Sequence, residues 1–433
     1  MVALDSIPLD VAVIGGGPAG LSACLELFKG SDKVRAAIFD SEAELGGIPK
    51  TSRFFFGMRD LKRIYTGPTY VQELNKRIRK TPAEIHTEAT ILKIIPDEKG
   101  ESHSLHVASP DGFRIYRSRF VVLCTGCCES PFAERLIPSA RPAGIFTTWQ
   151  LQQMVYLYRL KPGTRAVVIG SETAAFSTVM TLRHAGTYIA ALVEKNRELQ
   201  TYPFLTKGMS RFYGFPIRRR TSVKSISGTD RVEAVELLSE DNGKTFPIDC
   251  DTVAITGRFR PNSNLIDDTT ILRDAATGGP LVDMNLMTSV PNIFAAGNVL
   301  RGGDMHDLCA LEGRWVARSI VKSMTSHGSL GDDWLALRVD PPIRYIVPQK
   351  IAPLKIKSCL FPMLSPGVAI QVEETLKDVT LQGWSGERKI WERSYRRLLG
   401  NHRIPIPVEK FDWKRIDFEK GVLLKIKGLG FHG

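Results

Sequence analysis

A strand, a glycine-led turn, a helix and a second strand ending in an acid occur twice in this sequence of 433 residues, once from Asp10 and again from Arg165. Two further apolar segments, each ending in Thr-Gly, flank the second repeat. These observations predict an α/β chain with two Rossmann-like dinucleotide-binding domains, the second inserted in the first. A change to Pro-rich, β-prone sequence near residue 335 adds a small C-terminal β-rich or α+β domain.

In the first repeat, residues 10–15 form an apolar β-type run, Leu21 to Phe28 have helical character, and Val34 to Phe39 form a second run that stops at Asp40. In the second, Arg165 to Gly170 is the strand, Thr173 to Ala185 the helix, and Tyr188 to Val193 the next strand, ending in Glu194. Phe120 to Cys124 runs into Thr125-Gly126 and Thr252 to Ile255 into Thr256-Gly257, so each closes one domain. The segment from Asn292 to Gly297 and a helix over Leu308 to Ser323 return the chain to the first domain. The expected division is 1–150 with 258–330, 151–257, and 331–433. Ile343 to Pro348 and Val368 to Val372 are strand candidates in the last unit, and the tail from Phe411 carries no low-complexity bias.

Gly15, Gly17 and Gly20 stand at G-x-G-x-x-G spacing, with Pro18 and Ala19 between the last two. The first glycine permits a tight turn, the second lets the backbone approach a pyrophosphate, and the third lets the helix pack close to the strand. The helix N-terminus then faces the phosphates. Asp40 follows Gly20 at the interval at which a carboxylate meets a ribose hydroxyl. At the second repeat only Gly170 of the triplet is glycine: Ser171 follows, Glu172 replaces the second and Ala175 the third. A carboxylate at the second position obstructs and repels a pyrophosphate unless it turns away to cap the helix. Glu194 still offers a carboxylate for a ribose, which leaves NAD(P), another adenosine nucleotide, or an empty scaffold as alternatives there.

The residues Glu44-Leu-Gly-Gly47, Cys124-Thr-Gly126 and Phe294-Ala-Ala-Gly-Asn298, taken with the first glycine turn, resemble the two-dinucleotide-binding-domain flavoproteins over residues 8–325. That resemblance implies FAD at the first domain, held by Gly15, Gly17, Pro18, Ala19, Gly20, Asp40, Gly47, Thr125, Gly126, Gly297, Asn298 and Asp307. Asn298 stands where the family places an acid. Asp307 is expected to cap a helix whose positive end faces the flavin. The redox cysteine pair of the disulfide reductases in this family is missing after Gly47, and Cys124-Thr-Gly-Cys127 spans a strand and a turn, which argues against a dithiol. His306 is the single weak candidate for a catalytic role, and a lone histidine is more often structural.

The stretches from Phe56 to Leu61, Thr66 to Tyr70, Glu129 to Pro131, Arg135 to Pro138, Arg141 to Thr148 and Leu151 to Tyr156 narrow the resemblance to the FAD/NAD-binding subunits of three multi-subunit enzymes: hydrogen cyanide synthase, opine oxidase and heteromeric proline dehydrogenase, in the last of which it is the alpha chain. It implies a second flavoprotein subunit of the amino-acid-oxidase type as partner, a small iron-sulfur protein beside it, and a small amine, amino acid or hydroxy acid as substrate. The cysteine-rich C-terminal segment of many such subunits is absent, so any cluster comes from a partner. Two rival readings stay open: a stand-alone NAD(P)H:acceptor reductase and a non-catalytic nucleotide-binding scaffold.

Composition bounds these readings. With 43% hydrophobic and 24% charged residues the chain is globular. The formal charge of +12 comes without a nucleic-acid recognition motif, so no nucleic-acid partner is expected. No apolar run approaches the roughly 20 residues of a membrane span, which limits membrane contact to the periphery. Seven cysteines in apolar settings, no metal-ligand spacing and an N-terminus that reads without a signal peptide together suggest a cytoplasmic protein.

Overall fold

A computed structural model describes residues 6–29, 33–325, 334–352 and 367–427. The first sheet has seven strands built around Ser6–Ile14, which pairs in parallel with Ala36–Phe39 on one side and Gly112–Leu123 on the other. Val11, Ala12 and Val13 are fully buried, as a strand covered on both faces requires. The Ile293–Ala295 strand joins the same sheet against Val121 to Leu123, so the chain does come back to the first fold after leaving it. Helix α1 (Pro18–Leu27) starts with proline in its first turn, a position whose missing N–H costs nothing. It begins three residues before the expected Leu21, because the glycine turn leads straight into helix. Helix α2 (Gly67–Ile78) lies against α1.

The second sheet has five parallel strands in the order Ile145–Thr147, Thr252–Ile255, Arg165–Ile169, Tyr188–Val193, Ile217–Arg218. Helix α3 (Thr148–Tyr156) follows its first strand and α4 (Thr173–His184) follows Arg165–Ile169. The expected division at residue 150 therefore falls inside α3, and the Ile145–Thr147 strand pairs with the second sheet, not the first. Helix α5 (Pro203–Tyr213) precedes the edge strand. The two passages between the folds, Cys127–Glu129 and Phe259–Pro261, pair as an antiparallel ribbon.

Helix α6 (His306–Thr325) packs along α1. Gly313 makes this approach possible: a Cβ there would lie 2.0 Å from the carbonyl oxygen of Ala19. The C-terminal part consists of a five-stranded and a three-stranded sheet, and no α-helix occurs there among the described residues. Ile343–Val347 and Val368–Val372 pair in the smaller sheet. The tail contributes Val422–Lys427 to the larger one.

Candidate functional site

The three glycines of the first turn meet three different surroundings. A Cβ on Gly15 would stand 2.4 Å from the carbonyl oxygen of Cys124, and one on Gly20 would stand 1.9 Å from that of Gly15. Both positions are closed by backbone. A Cβ on Gly17 would meet nothing within 4 Å. Its surroundings are open at the N-terminus of α1, where the amide N–H groups of Gly17, Ala19 and Gly20 lack helical partners. Gly126 also faces open space, and Gly47 sits with its α-carbon side against Gly17, a Cβ there falling 3.3 Å from the Gly17 Cα. The sequence motif thus becomes a cradle in which the backbone is left bare at Gly17 and Gly126. The residues present fit a dinucleotide such as FAD.

Asp40 closes the cradle at one end. Its carboxylate accepts from the Gly16 N–H at 2.6 Å and from the Glu42 N–H at 2.8 Å. Burial raises its pKa, against the lowering by those two amides. Pro18 and Ala19 occupy the first turn of α1 and are buried. The Thr125 hydroxyl donates to the Asn262 carbonyl at 2.6 Å and so ties the strand end to the ribbon between the folds. At the other end Gly297, with φ +83°, places its N–H on Glu312 at 3.0 Å. Asn298 donates to the Cys127 sulfur at 3.5 Å and accepts from the Asp304 N–H at 3.0 Å and the Cys309 thiol at 3.1 Å.

Asp307 does not cap α6 as expected. It is the second residue of the helix, since the helix starts at His306. Its carboxylate accepts from the Leu308 N–H at 3.0 Å and from the Arg59 guanidinium at 3.2 Å, and an acid in the first turn still complements the helix dipole. His306 packs against Phe56 with ring centroids 5.2 Å apart and the rings tilted at 48°. Burial holds its pKa down to about 4, against the pull of Asp307 and Asp304, so the imidazole is neutral near pH 7.

Between the two folds lies a cleft of about 980 Å³, with Phe54, Cys127, Trp149, Asn298 and His306 among its walls. Arg344 and His402 of the C-terminal part also line it. Burial pushes the Cys127 thiol up to about 12 and raises Cys124 and Cys309 as well, so none of the three is a thiolate at neutral pH. Among the described residues no group of three or more His, Cys, Asp or Glu is placed to hold a metal ion, and no helix is long and apolar enough to cross a membrane.

One buried cluster escaped the sequence. Arg301 pairs with Glu312 and with Asp304 at 3.1 Å, and Arg403 of the C-terminal region reaches Glu312 at 2.7 Å. Glu312, on α6, is thus bonded at once to the Gly297 amide, to Arg301 and to the last domain. No motif signals it, because its partners are 11 and 91 residues away.

In the second fold Gly170, Ser171, Glu172 and Ala175 form the equivalent turn into α4, and Glu194 ends the following strand. Ala175 is fully buried, small enough for helix-to-strand contact. Glu172 does occupy the N-cap position of α4, but its side chain makes no capping hydrogen bond. The Ser171 hydroxyl donates to Glu194, which also accepts from the Asn196 N–H at 2.8 Å.

Two nested dinucleotide folds with an open cradle in the first and a shared cleft define an FAD-dependent oxidoreductase of the two-dinucleotide-binding-domain class. Residues 9–314 match the model of the family described as pyridine nucleotide-disulphide oxidoreductase, and the chain belongs to that family. FAD and NAD(P) binding are typical of it. The chain is 22% identical over 403 residues to dihydrolipoyl dehydrogenase of Bacillus subtilis, covering 85% of this chain and 83% of that protein. It is 24% identical over 355 residues to hydrogen cyanide synthase subunit HcnB of Pseudomonas protegens, covering 72% and 70%. Among solved structures it is similar to T. acidophilum thioredoxin reductase, with a TM-score of 0.63 at 19% identity over 74% of this chain and 99% of that one. It is also similar to L-proline dehydrogenase from P. horikoshii, with a TM-score of 0.56 at 21% identity over 76% of this chain and 58% of that one. These two likenesses carry the fold.

Proposed function

We propose that this chain is the flavoprotein subunit of a multi-subunit dehydrogenase that oxidises a small amine, amino acid or hydroxy acid and passes electrons through FAD to a partner. The carrying observation is the open backbone at Gly17 and Gly126, together with a cleft lined by Cys127, which burial holds as a thiol. A flavin bound there supplies two-electron chemistry. In this reading Gly15 and Gly20 shape the turn, Gly17, Gly47 and Gly126 admit the diphosphate, and Asp40 turns from the Gly16 amide toward a ribose. Gly297 and Asn298 hold the ribityl side. Asp307 and the N-terminus of α6 favour negative charge on the reduced ring.

The family's thiol chemistry needs a thiolate beside the flavin, and raised thiol pKa values speak against it here. Similarity to one component of hydrogen cyanide synthase and to an L-proline dehydrogenase supports a place in an assembly. The partner proposed is a second flavoprotein subunit of the amino-acid-oxidase type, with a small iron-sulfur protein as a further component. The test is the visible spectrum and mass of the purified chain, alone and co-expressed with candidate partners, followed by anaerobic addition of amines, amino acids and hydroxy acids. Bleaching of the flavin only in the presence of a partner is the expected result. Bleaching by NADH alone would favour a stand-alone reductase, and a colourless protein would remove the flavin reading.

A further inference from the structure

The two dinucleotide folds of this chain provide a control for each other. Gly15 corresponds to Gly170, Gly17 to Glu172, Gly20 to Ala175 and Thr125-Gly126 to Thr256-Gly257. The acids at the strand ends also correspond: Asp40 accepts from the amide two residues on at 2.8 Å, and Glu194 does the same at 2.8 Å. Backbone angles at the key position agree as well, φ −76° and ψ −174° at Gly17, φ −72° and ψ 173° at Glu172. The frame of a dinucleotide site is therefore intact in both.

What fills the frame differs. A Cβ on Gly126 would meet nothing within 4 Å, whereas one on Gly257 would lie 3.2 Å from the Glu172 Oε1 and 3.4 Å from its Oε2. A Cβ on Gly170 would lie 2.9 Å from the same Oε2. The carboxylate thus rests over both glycines of the second cradle. The Thr256 hydroxyl, which donates to the Ile169 carbonyl at 2.9 Å, lies beside it, and the charge of Arg135 lies near it while that side chain donates to the Gly257 carbonyl at 2.6 Å. Its Oε1 is shut off from solvent and has no hydrogen-bond partner. An unpaired buried carboxylate oxygen is costly, and burial raises the Glu172 pKa accordingly.

We propose that Glu172 excludes pyridine nucleotides from the second fold: its side chain takes the place of a dinucleotide's pyrophosphate over Gly170 and Gly257. NAD(P), typical of the family, does not fit this cradle. Rotation of the carboxylate outward would not open it, because the Glu172 Cβ stays where the ligand needs bare backbone. Electrons consequently reach the flavin from a donor other than NAD(P)H. The inference holds whether that donor is a partner protein or a free substrate, so it succeeds or fails independently of the assembly proposed above.

The test is equilibrium binding of NADH and NADPH to the purified holoprotein, followed by quenching of tryptophan emission, with NAD+ as competitor. The parent is expected to show no saturable binding up to about 1 mM, and Glu172→Gly to bind with a Kd about tenfold lower or better. Flavin content and thermal midpoint equal to the parent show that the variant is folded, which the matching backbone angles favour. If Glu172→Gly is not soluble, the parent's own binding curves for NADH and NADPH carry the test. Micromolar binding of NADH or NADPH by the parent overturns the proposal. So does a folded variant that gains no binding.

Discussion

Replacing Gly17 by alanine separates cofactor binding from folding more sharply than any other single change. Its backbone is in the extended region, which alanine adopts without strain, and the added methyl meets no atom of the protein within 4 Å. In the apoprotein, reduced freedom of the unfolded chain stabilises by about 0.4–1 kcal/mol. Loss of glycine at the helix N-cap opposes this by a similar amount. The apoprotein should therefore melt within about 4 °C of the parent. In the flavin complex the same methyl stands between the diphosphate and the amides of α1. Losing two charge-assisted hydrogen bonds at about 1.5–3 kcal/mol each corresponds to roughly a 10²- to 10⁴-fold weaker affinity. Fluorescence titration of apoprotein with FAD, paired with thermal melts, measures both quantities. Gly20→Ala is the contrasting variant, because its methyl would lie 1.9 Å from the Gly15 carbonyl oxygen, and it should cost about 2–3 kcal/mol in the apoprotein itself. Flavin affinity of Gly17→Ala within threefold of the parent would refute the assignment of the cradle.

Asp40→Ala leaves the Gly16 and Glu42 amides without their acceptor and should cost about 1–3 kcal/mol in urea unfolding, with at least tenfold weaker flavin binding by titration. Glu312→Gln leaves Arg301, with a side chain only 2% exposed, short of its main counter-charge. A loss of about 3 kcal/mol in chemical denaturation is expected, and an unchanged midpoint would show that Asp304 alone suffices. His306 gives a pH signature. Its folded pKa of about 4 lies below the 6.5 of the free side chain, so the unfolded chain binds the extra proton between those values. Stability should fall as pH drops from 6.5 to 4 and level off below, by at most about 3 kcal/mol. His306→Phe should lose that slope, and an equal slope in both proteins would contradict the assignment.

The sequence alone determined the doubly used βαβ pattern, the glycine turn at Gly15 to Gly20 and the substitution at Glu172. Each is local: strand periodicity, turn and helix start lie within about thirty residues, and glycine spacing encodes a backbone requirement directly. Element edges were less legible, because packing and not propensity sets them. Pro18 starts α1 and His306 starts α6, so Asp307 enters the helix instead of capping it. The place of the Ile145–Thr147 strand was likewise beyond reach, since three residues carry no mark of the sheet they will join. Only the tertiary structure decided where side chains meet across long intervals. It brought Arg403 to Glu312 beside Arg301, which pairs with the same carboxylate, and Arg135 to the Gly257 carbonyl. It also decided the fate of Glu172. The sequence left it a choice between capping α4 and blocking the cradle, and the positions of Gly257, Gly170 and Thr256, which only folding brings together, turn its carboxylate inward over the space a second nucleotide would need.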